Sequence, residues 1–299
     1  LRIDGLNNIE IPERLNISLN NKKEPIDRNL KTILAETLTG QGFHEIVTNS
    51  ITNSKYYPEH QQLVKMINSL SVELDIMRPS MLESGLEAIA YNANRKQQDL
   101  ALYEIGDIYL QNGIGNYEQK SMLAIWLSGN TAYQSWQSKA VASDIYFLKS
   151  KLGLLLERCG VTKVKEVVAD NIISYQRGKE VLATIQEVEM EKLKAFDIRQ
   201  KVFYAEVHIA AIVSAIAANK VRYSELPKYP IMKRDLALVL DKSVLYTQVQ
   251  KVAQEQKFDT LKGFELFDLF ENEKLGADKK SLALSFTFQH QERTMTDQE

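Results

Sequence analysis

The sequence predicts an α+β protein in two parts, and three observations lead there. Hydrophobic spacing changes in kind along the chain, with a period of two in some segments and about 3.6 in others. The stretch from Arg222 to Asp235 carries Pro227 and Pro230 with little apolar periodicity, which places a domain boundary there. Beyond it, from Tyr229 to Glu299, the periods run two, helical, two and two. That order is β-α-β-β, the opening part of a ferredoxin-like β-α-β-β-α-β unit.

Bulk properties agree with a soluble globular chain. Its 299 residues suffice for two domains with their own cores. Hydrophobic residues make up 44% and charged residues 25%, both ordinary. A net charge of −2 gives no general attraction to nucleic acid, so any RNA contact must be local. The single cysteine, Cys159, excludes an internal disulfide and a cysteine-based zinc site. No apolar run reaches the roughly 18 residues of a membrane span, and no secretory leader is visible. No membrane partner is expected, and the cytoplasm is the expected compartment. There is no internal repeat and no low-complexity segment.

The elements follow in order. Leu1 to Asn20 reads either as the tail of a preceding domain or as a terminal arm. Pro25 to Gln41 is a helix: Ile26, Leu30, Ile33, Leu34, Thr37 and Leu38 share a face, Pro25 suits the first turn and Gly42 the stop. Phe43 to Thr52 reads as a strand. Ser80 and Glu83 have capping-box spacing, and Met81, Leu82, Leu86 and Ile89 mark the buried face of the helix they would start. Leu100 to Leu110 is a strand, followed by a turn from Asn112 to Asn116 that contains Gly113 and Gly115. Ser121 to Leu127 is apolar on both faces and reads as a central strand. Ser143 to Cys159 is a helix ended by Gly160, with Cys159 as a small core residue. Val181 to Val188 and Val202 to His208 are strands, and Ile209 to Asn219 is a helix.

In the second part, Arg234 to Asp241 is a strand, Val244 to Phe258 an amphipathic helix, and Phe264 to Phe270 and Ser281 to Phe288 are strands. Thr296-Asp297-Gln298-Glu299 has the form of a capping box, yet the sequence stops there. A truncated fragment is therefore expected, as it is from a first residue, Leu1, that is not Met.

Arg-Asp-Leu-Ala-Leu-Val from Arg234, Leu266-Phe267-Asp268, Gly276 with Lys279-Lys280-Ser281-Leu282-Ala283, and Arg293-Thr294-Met295-Thr296-Asp297 carry a resemblance. In that order and spacing they resemble the anticodon-binding domain that closes the β chain of bacterial phenylalanyl-tRNA synthetases. The upstream chain is similar to the same subunit. The helix Pro25 to Gln41 running into the strand Phe43 to Thr52 looks like motif 1 of class II synthetases, Asn68-Ser69-Leu70-Ser71 and Met77-Arg78-Pro79-Ser80 resemble two further family stretches, and Leu100 to Leu110 corresponds to motif 2.

The resemblance implies a class II aminoacyl-tRNA synthetase-like antiparallel sheet with helices over residues 21–222, preceded by a remnant of another domain over 1–20. A truncated ferredoxin-fold domain would occupy 229–299. It also implies an α2β2 tetramer with a catalytic alpha subunit, tRNA-Phe as ligand, and ATP and Mg2+ as cofactors of the whole enzyme but not of this fragment. Leu30, Ile33, Leu34 and Leu38 are expected at the subunit interface.

Catalysis is not expected from these residues. Joining an amino acid to ATP needs cations on the phosphates, where negative charge builds as pyrophosphate leaves. The resemblance aligns Glu104 with the motif 2 glutamate, and the family's arginine two positions before it is Leu102 here. The strand–helix that should be motif 3 reads Ala205-Glu206-Val207-His208-Ile209-Ala210-Ala211, with neither glycine nor arginine. Arg78 is expected to anchor a loop. His44, His60, His208 and His290 lack metal-ligand spacing. No catalytic and no metal-binding residue is assigned.

RNA contacts are expected in the second part. Alternation turns Leu282, Leu284, Phe286 and Phe288 toward a helix and leaves Ser281, Ala283, Ser285 and Thr287 outward. Small outward residues leave a flat surface that a base can approach. Asp268 and Phe270, two apart, share a face. In the family the equivalent Asp accepts hydrogen bonds from a guanine edge and a Tyr stacks on the base; Phe270 keeps the stacking face without the hydroxyl. Phe270 also reads as a core aromatic, and the stacking reading is preferred. Lys220, Arg222, Lys228, Lys233, Arg234, Lys279 and Lys280 are candidates for phosphate contact, against a background in which surface lysines are simply solvated.

The alternatives are a ferredoxin-like regulatory protein that binds a small metabolite, and a free-standing class II-like enzyme, for which the ATP-binding arginines are missing.

Overall fold

The computed structural model describes residues 5–8, 14, 26–58, 60–69, 71–161, 164–219, 223, 225–256, 258–272, 275–276 and 278–296. They fall in two compact units, 1–220 and 221–299. The expectations for most of Leu1 to Asn20, for Pro25, Leu70, Lys220 and Arg222, and for the capping box ending at Glu299 lie outside the described residues.

In the first unit the order is α1 (Ile26–Gly40), β1 (His44–Glu45), β2 (Ile51–Thr52), β3 (Val64–Lys65), β4 (Ile76–Met77), α2 (Leu82–Ala93), β5 (Leu100–Gln111) and β6 (Tyr117–Ser128). Then come β7 (Asn130–Ala132), β8 (Val141–Ala142), α3 (Ile145–Arg158), β9 (Lys165–Ala169), β10 (Ile172–Arg177), β11 (Glu180–Glu187), α4 (Met190–Ala195), β12 (Val202–His208) and α5 (Ile209–Ala217). The main sheet runs β1-β5-β6-β12-β11-β10-β9. Every pairing is antiparallel except the short parallel contact of β1 with β5.

Alternation along β6 explains how this sheet is covered. Leu123, Ile125 and Leu127 point into one core with Leu34 and Leu38 of α1, Leu152 of α3 and Ile212 of α5. Met122, Ala124 and Trp126 point into the other, under α2 and α4. A strand buried on both faces reads as a continuous apolar run, which is how this segment appears in the sequence.

α1 corrects one expectation. Leu30, Leu34 and Leu38, proposed for a subunit interface, are sealed inside this unit, and Ile33 is half-buried. Their spacing of four makes a single stripe, and that stripe faces α3, α5 and the sheet. Burying each leucine is worth about 1.5–3 kcal/mol, which the stripe gains within its own chain.

The expected strand from Phe43 to Thr52 is also interrupted. β1 joins the main sheet and β2 joins a separate small sheet, β2-β4-β3. Between them Thr48 turns its hydroxyl to Glu104, and Ser50 accepts from the Arg78 N–H. The Ser80–Glu83 capping box does not form. Ser80 Oγ accepts from Leu82 N at 3.0 Å, but Glu83 is buried and pairs with Lys192 of α4.

The second unit has β13 (Met232–Asp241), α6 (Tyr246–Glu255), β14 (Leu261–Phe270) and β15 (Lys279–Phe288). The sheet order β13-β15-β14 places the last strand in the middle, antiparallel to both neighbours. This is the split β-α-β arrangement of a ferredoxin-like unit.

Candidate nucleic-acid interface

The register of the second sheet determines which side chains meet. On one face Met232, Leu236 and Leu238 of β13 line up with Phe288, Leu284 and Leu282 of β15. Val249 and Val252 of α6 close over part of this face, leaving a cavity of about 600 Å³. On the opposite, outer face three rungs cross the sheet: Val239–Ser281–Phe270, Ala237–Ala283–Asp268 and Asp235–Ser285–Glu265.

A bulge builds that outer face. The register of β14 slips between Leu266 and Asp268, so Phe267 is an extra residue on this strand. In an unbroken strand Glu265 and Asp268, three apart, would point to opposite faces. With the bulge, Glu265, Asp268 and Phe270 line the same face. Phe270 is 50% exposed and makes no ring contact among the described residues. The aromatic stack of this unit, Phe264, Phe286 and Phe288, belongs to the helix side. Asp268 is exposed and makes no ion pair or hydrogen bond among the described residues.

The register thus brings Asp268, Phe270, Ala283 and Ser281 together on a surface with a small-residue centre. Three expectations are corrected. Ser285 is on this face but only 7% exposed, because it sits on the central strand with Asp235 and Glu265 directly on either side. Arg234 lies in register with Phe286 and lines the helix-side cavity. Lys280 lies opposite Leu240 and donates to the Lys242 carbonyl at 2.9 Å, again off the outer face. Lys233 and Lys279 do lie on it, at its two ends. Lys233 reaches Glu265 at 3.5 Å, and Lys279 stands opposite Asp241. Lys228 is exposed in the segment leading into β13. Glu265 escaped the sequence reading, since nothing in the residue types marks a bulge at Phe267.

In the first unit, the sheet face under α2 and α4 is the one that carries Glu104. Its central rungs read Leu102–Trp126–Tyr204–Gln186 and Glu104–Ala124–Glu206–Thr184. Leu102, Trp126 and Tyr204 are buried side by side. The backbone of α2 lies directly on Trp126: a Cβ built on Gly85 falls 2.0 Å from the indole ring. Trp126 Nε1 donates to the Leu82 carbonyl at 3.2 Å. Tyr204 donates to Glu206 at 2.8 Å, and burial together with Glu206 pushes its phenol well above the usual range.

Glu104 is held by Arg78. The Arg78 Nη1 donates to Glu104 Oε1 at 2.9 Å and to Thr48 Oγ1 at 2.8 Å, and its Nε donates to the Asp107 carbonyl at 2.9 Å. Thr48 Oγ1 in turn donates to Glu104 Oε2 at 2.5 Å. Arg78 therefore joins the segment before α2 to β5, the anchoring role expected for it. No group of three or more His, Cys, Asp or Glu among the described residues is arranged to hold a metal. No helix of the described residues is long and apolar enough to cross a membrane.

Comparison with known proteins accounts for both units. A family model described as the phenylalanyl tRNA synthetase beta chain CLM domain matches residues 11–209, and one described as a ferredoxin-fold anticodon binding domain matches residues 227–299. The chain is 38% identical to the phenylalanine–tRNA ligase beta subunit of Bacteroides thetaiotaomicron, over 99% of this chain and 39% of that one. It is 33% identical to that of Porphyromonas gingivalis, over 100% of this chain and 39% of that one. For Streptococcus pneumoniae serotype 4 the identity is 32%, over 92% and 36%. The chain thus spans about two fifths of the length of these curated relatives. Among solved structures, pyrrolysyl-tRNA synthetase from Desulfitobacterium hafniense aligns at a TM-score of 0.50 with 16% identity, covering 63% of this chain and 68% of that one. That likeness shows the fold alone. These matches do not favour the metabolite-sensing alternative.

Proposed function

The chain belongs to the phenylalanyl-tRNA synthetase beta chain family, and from that premise we propose that it serves a phenylalanine–tRNA ligase by holding the catalytic alpha subunit and the anticodon loop of tRNA-Phe. The observation that carries this reading is the outer face of the second sheet. Asp268 offers a carboxylate with no partner among the described residues, which accepts hydrogen bonds from the N–H groups of a guanine edge. Phe270 offers a half-exposed ring beside it, and stacking on one base is worth about 1–3 kcal/mol. Ala283 and Ser281 keep the surface between them low. Lys233 and Lys279 stand at its ends, where phosphates would pass.

The first unit acts as a scaffold without chemistry of its own. ATP with Mg2+ would need cations facing the triphosphate. On the sheet face that carries Glu104, the position two residues earlier is a buried leucine, the central rungs are filled by Trp126 and Tyr204, and the nearest arginine is committed to Glu104. The residues present do not fit the nucleotide. ATP and Mg2+ belong to the alpha subunit of an α2β2 enzyme working in the cytoplasm. Since the leucine stripe of α1 is spent on the core, the alpha subunit must meet other surfaces of this unit.

The test is a split between two activities in the assembled enzyme. Asp268→Asn with Phe270→Ala should weaken tRNA binding and aminoacylation while leaving tRNA-independent activation of phenylalanine near its normal rate. Equal loss of both activities would overturn the assignment.

A further inference from the structure

The outer face of the second sheet is, unexpectedly for a surface that meets RNA, anionic. Its register collects Asp235, Asp241, Glu265 and Asp268 against Lys233 and Lys279. One lysine stands opposite Asp241, and the other is tied down. Lys233 is in register with Thr287, and Glu265 with Ser285. Their 3.5 Å ion pair therefore crosses the central strand diagonally, from one edge strand to the other. Both side chains are largely exposed, at 56% and 65%.

Phosphate contacts supply affinity without regard to sequence, whereas contacts to bases discriminate. A lysine free to swing onto the backbone would raise the affinity for every RNA loop alike. Resting on the anticodon-binding reading above, we propose that Glu265 sets the sequence-independent part of this face's affinity for RNA: it draws Lys233 across the sheet and away from the phosphates, so that a loop lacking the base contacts at Asp268 and Phe270 is held too weakly to occupy the site. The bulge at Phe267 is the device that makes this arrangement. It turns Glu265 onto the face that carries Asp268, within reach of Lys233. Without the slip the same glutamate would point to the helix side, and this ion pair could not form across the central strand.

The experiment uses the complete subunit in its assembled enzyme, with synthetic anticodon stem-loops carrying the cognate anticodon or altered anticodon bases. Dissociation constants are measured at several salt concentrations. Glu265→Gln keeps the shape and removes the charge. It should tighten cognate and altered loops together, by about two- to fivefold, the range of an exposed ion pair. It should also steepen the salt dependence by about 0.7 in the log–log slope, the value of one added phosphate contact on a single strand. The ratio of the two dissociation constants should stay the same, since the added contact is common to both, but at a concentration that already saturates the cognate loop the bound fraction of altered loop should rise. Lys233→Gln introduced on top of Glu265→Gln should abolish the tightening and return the salt slope.

Weaker cognate binding by Glu265→Gln would mean that the glutamate reads a base, and the proposal would be overturned. An unchanged salt slope would overturn it as well. Asp268→Asn and Phe270→Ala separate this from the underlying reading. If they weaken cognate binding while Glu265→Gln fails to tighten it, only the proposal falls. If all three leave binding unchanged, the face does not bind RNA and both fall.

Discussion

Arg78 and Glu104 form an ion pair at 2.9 Å with side chains only 2% and 4% exposed. Breaking a buried pair from one side leaves an uncompensated charge and costs about 3–5 kcal/mol. Arg78→Met should therefore lower the unfolding free energy by that amount in denaturant titration. The double variant Arg78→Met with Glu104→Leu should recover most of it, since two apolar side chains leave no stranded charge. A double variant no better than the single one would show that the bonds to Thr48 and Asp107, and not the charge pairing, dominate.

Gly85 has no room for a side chain. An ideal Cβ there lies 2.0 Å from the ring of Trp126, so Gly85→Ala must push α2 off the sheet. Overpacking of this kind costs about 1–3 kcal/mol. Tryptophan emission should shift to the red as the indole gains water, and Trp126→Leu should relieve part of the loss when combined with it.

Leu34 tells a core residue from an interface residue. Leu34→Ala should cost about 2–5 kcal/mol in thermal or denaturant unfolding. If the leucine stripe met a partner instead, the variant would keep its stability alone and lose assembly with the alpha subunit.

Cys159 is half-buried beside the core and its thiol is pushed up to about 11, mainly by burial, with Arg158 pulling weakly the other way. Because the thiolate is the reactive form, alkylation of the folded protein at pH 8 should run at least about tenfold slower than for a free cysteine. The sign for stability follows from the raised value. The folded state keeps the proton longer, so its contribution is complete below the ordinary thiol value of about 8.5 and is lost as pH climbs through about 11. Titrating unfolding midpoints of the native chain and Cys159→Ala across that range should show the difference disappear.

Much of the fold was legible in the sequence where one period ran without interruption. Leu100 to Leu110 falls within β5, the continuous apolar run Ser121 to Leu127 falls within β6, and the glycines between them mark the turn. Val202 to His208 matches β12 end for end. The less legible parts depended on contacts between distant residues. Glu83 has capping-box spacing, but Lys192, far along the chain, takes its carboxylate. Phe43 to Thr52 has strand composition, but Thr48 and Ser50 are claimed by Glu104 and Arg78. The β9–β10 hairpin was missed because its turn residues, Asp170 and Asn171, both adopt positive φ without a glycine to announce it. At the candidate site, the sharing of a face by Asp268 and Phe270 follows from simple alternation. The burial of Ser285 and the arrival of Glu265 do not, because both depend on the register of neighbouring strands.

The strand order of the first unit has a consequence for how the chain matures. β12 is the last strand of its sheet to be synthesised, yet it lies in the interior, between β6 and β11. Until Val202 to His208 leaves the ribosome, the hairpin of β5 and β6 and the meander of β9, β10 and β11 each present an open edge toward a neighbour that does not yet exist. Closure therefore waits on a late, long-range event, the kind that slows folding and leaves unpaired edges prone to association. A nascent chain halted before this strand emerges is the species on which a chaperone has most to act.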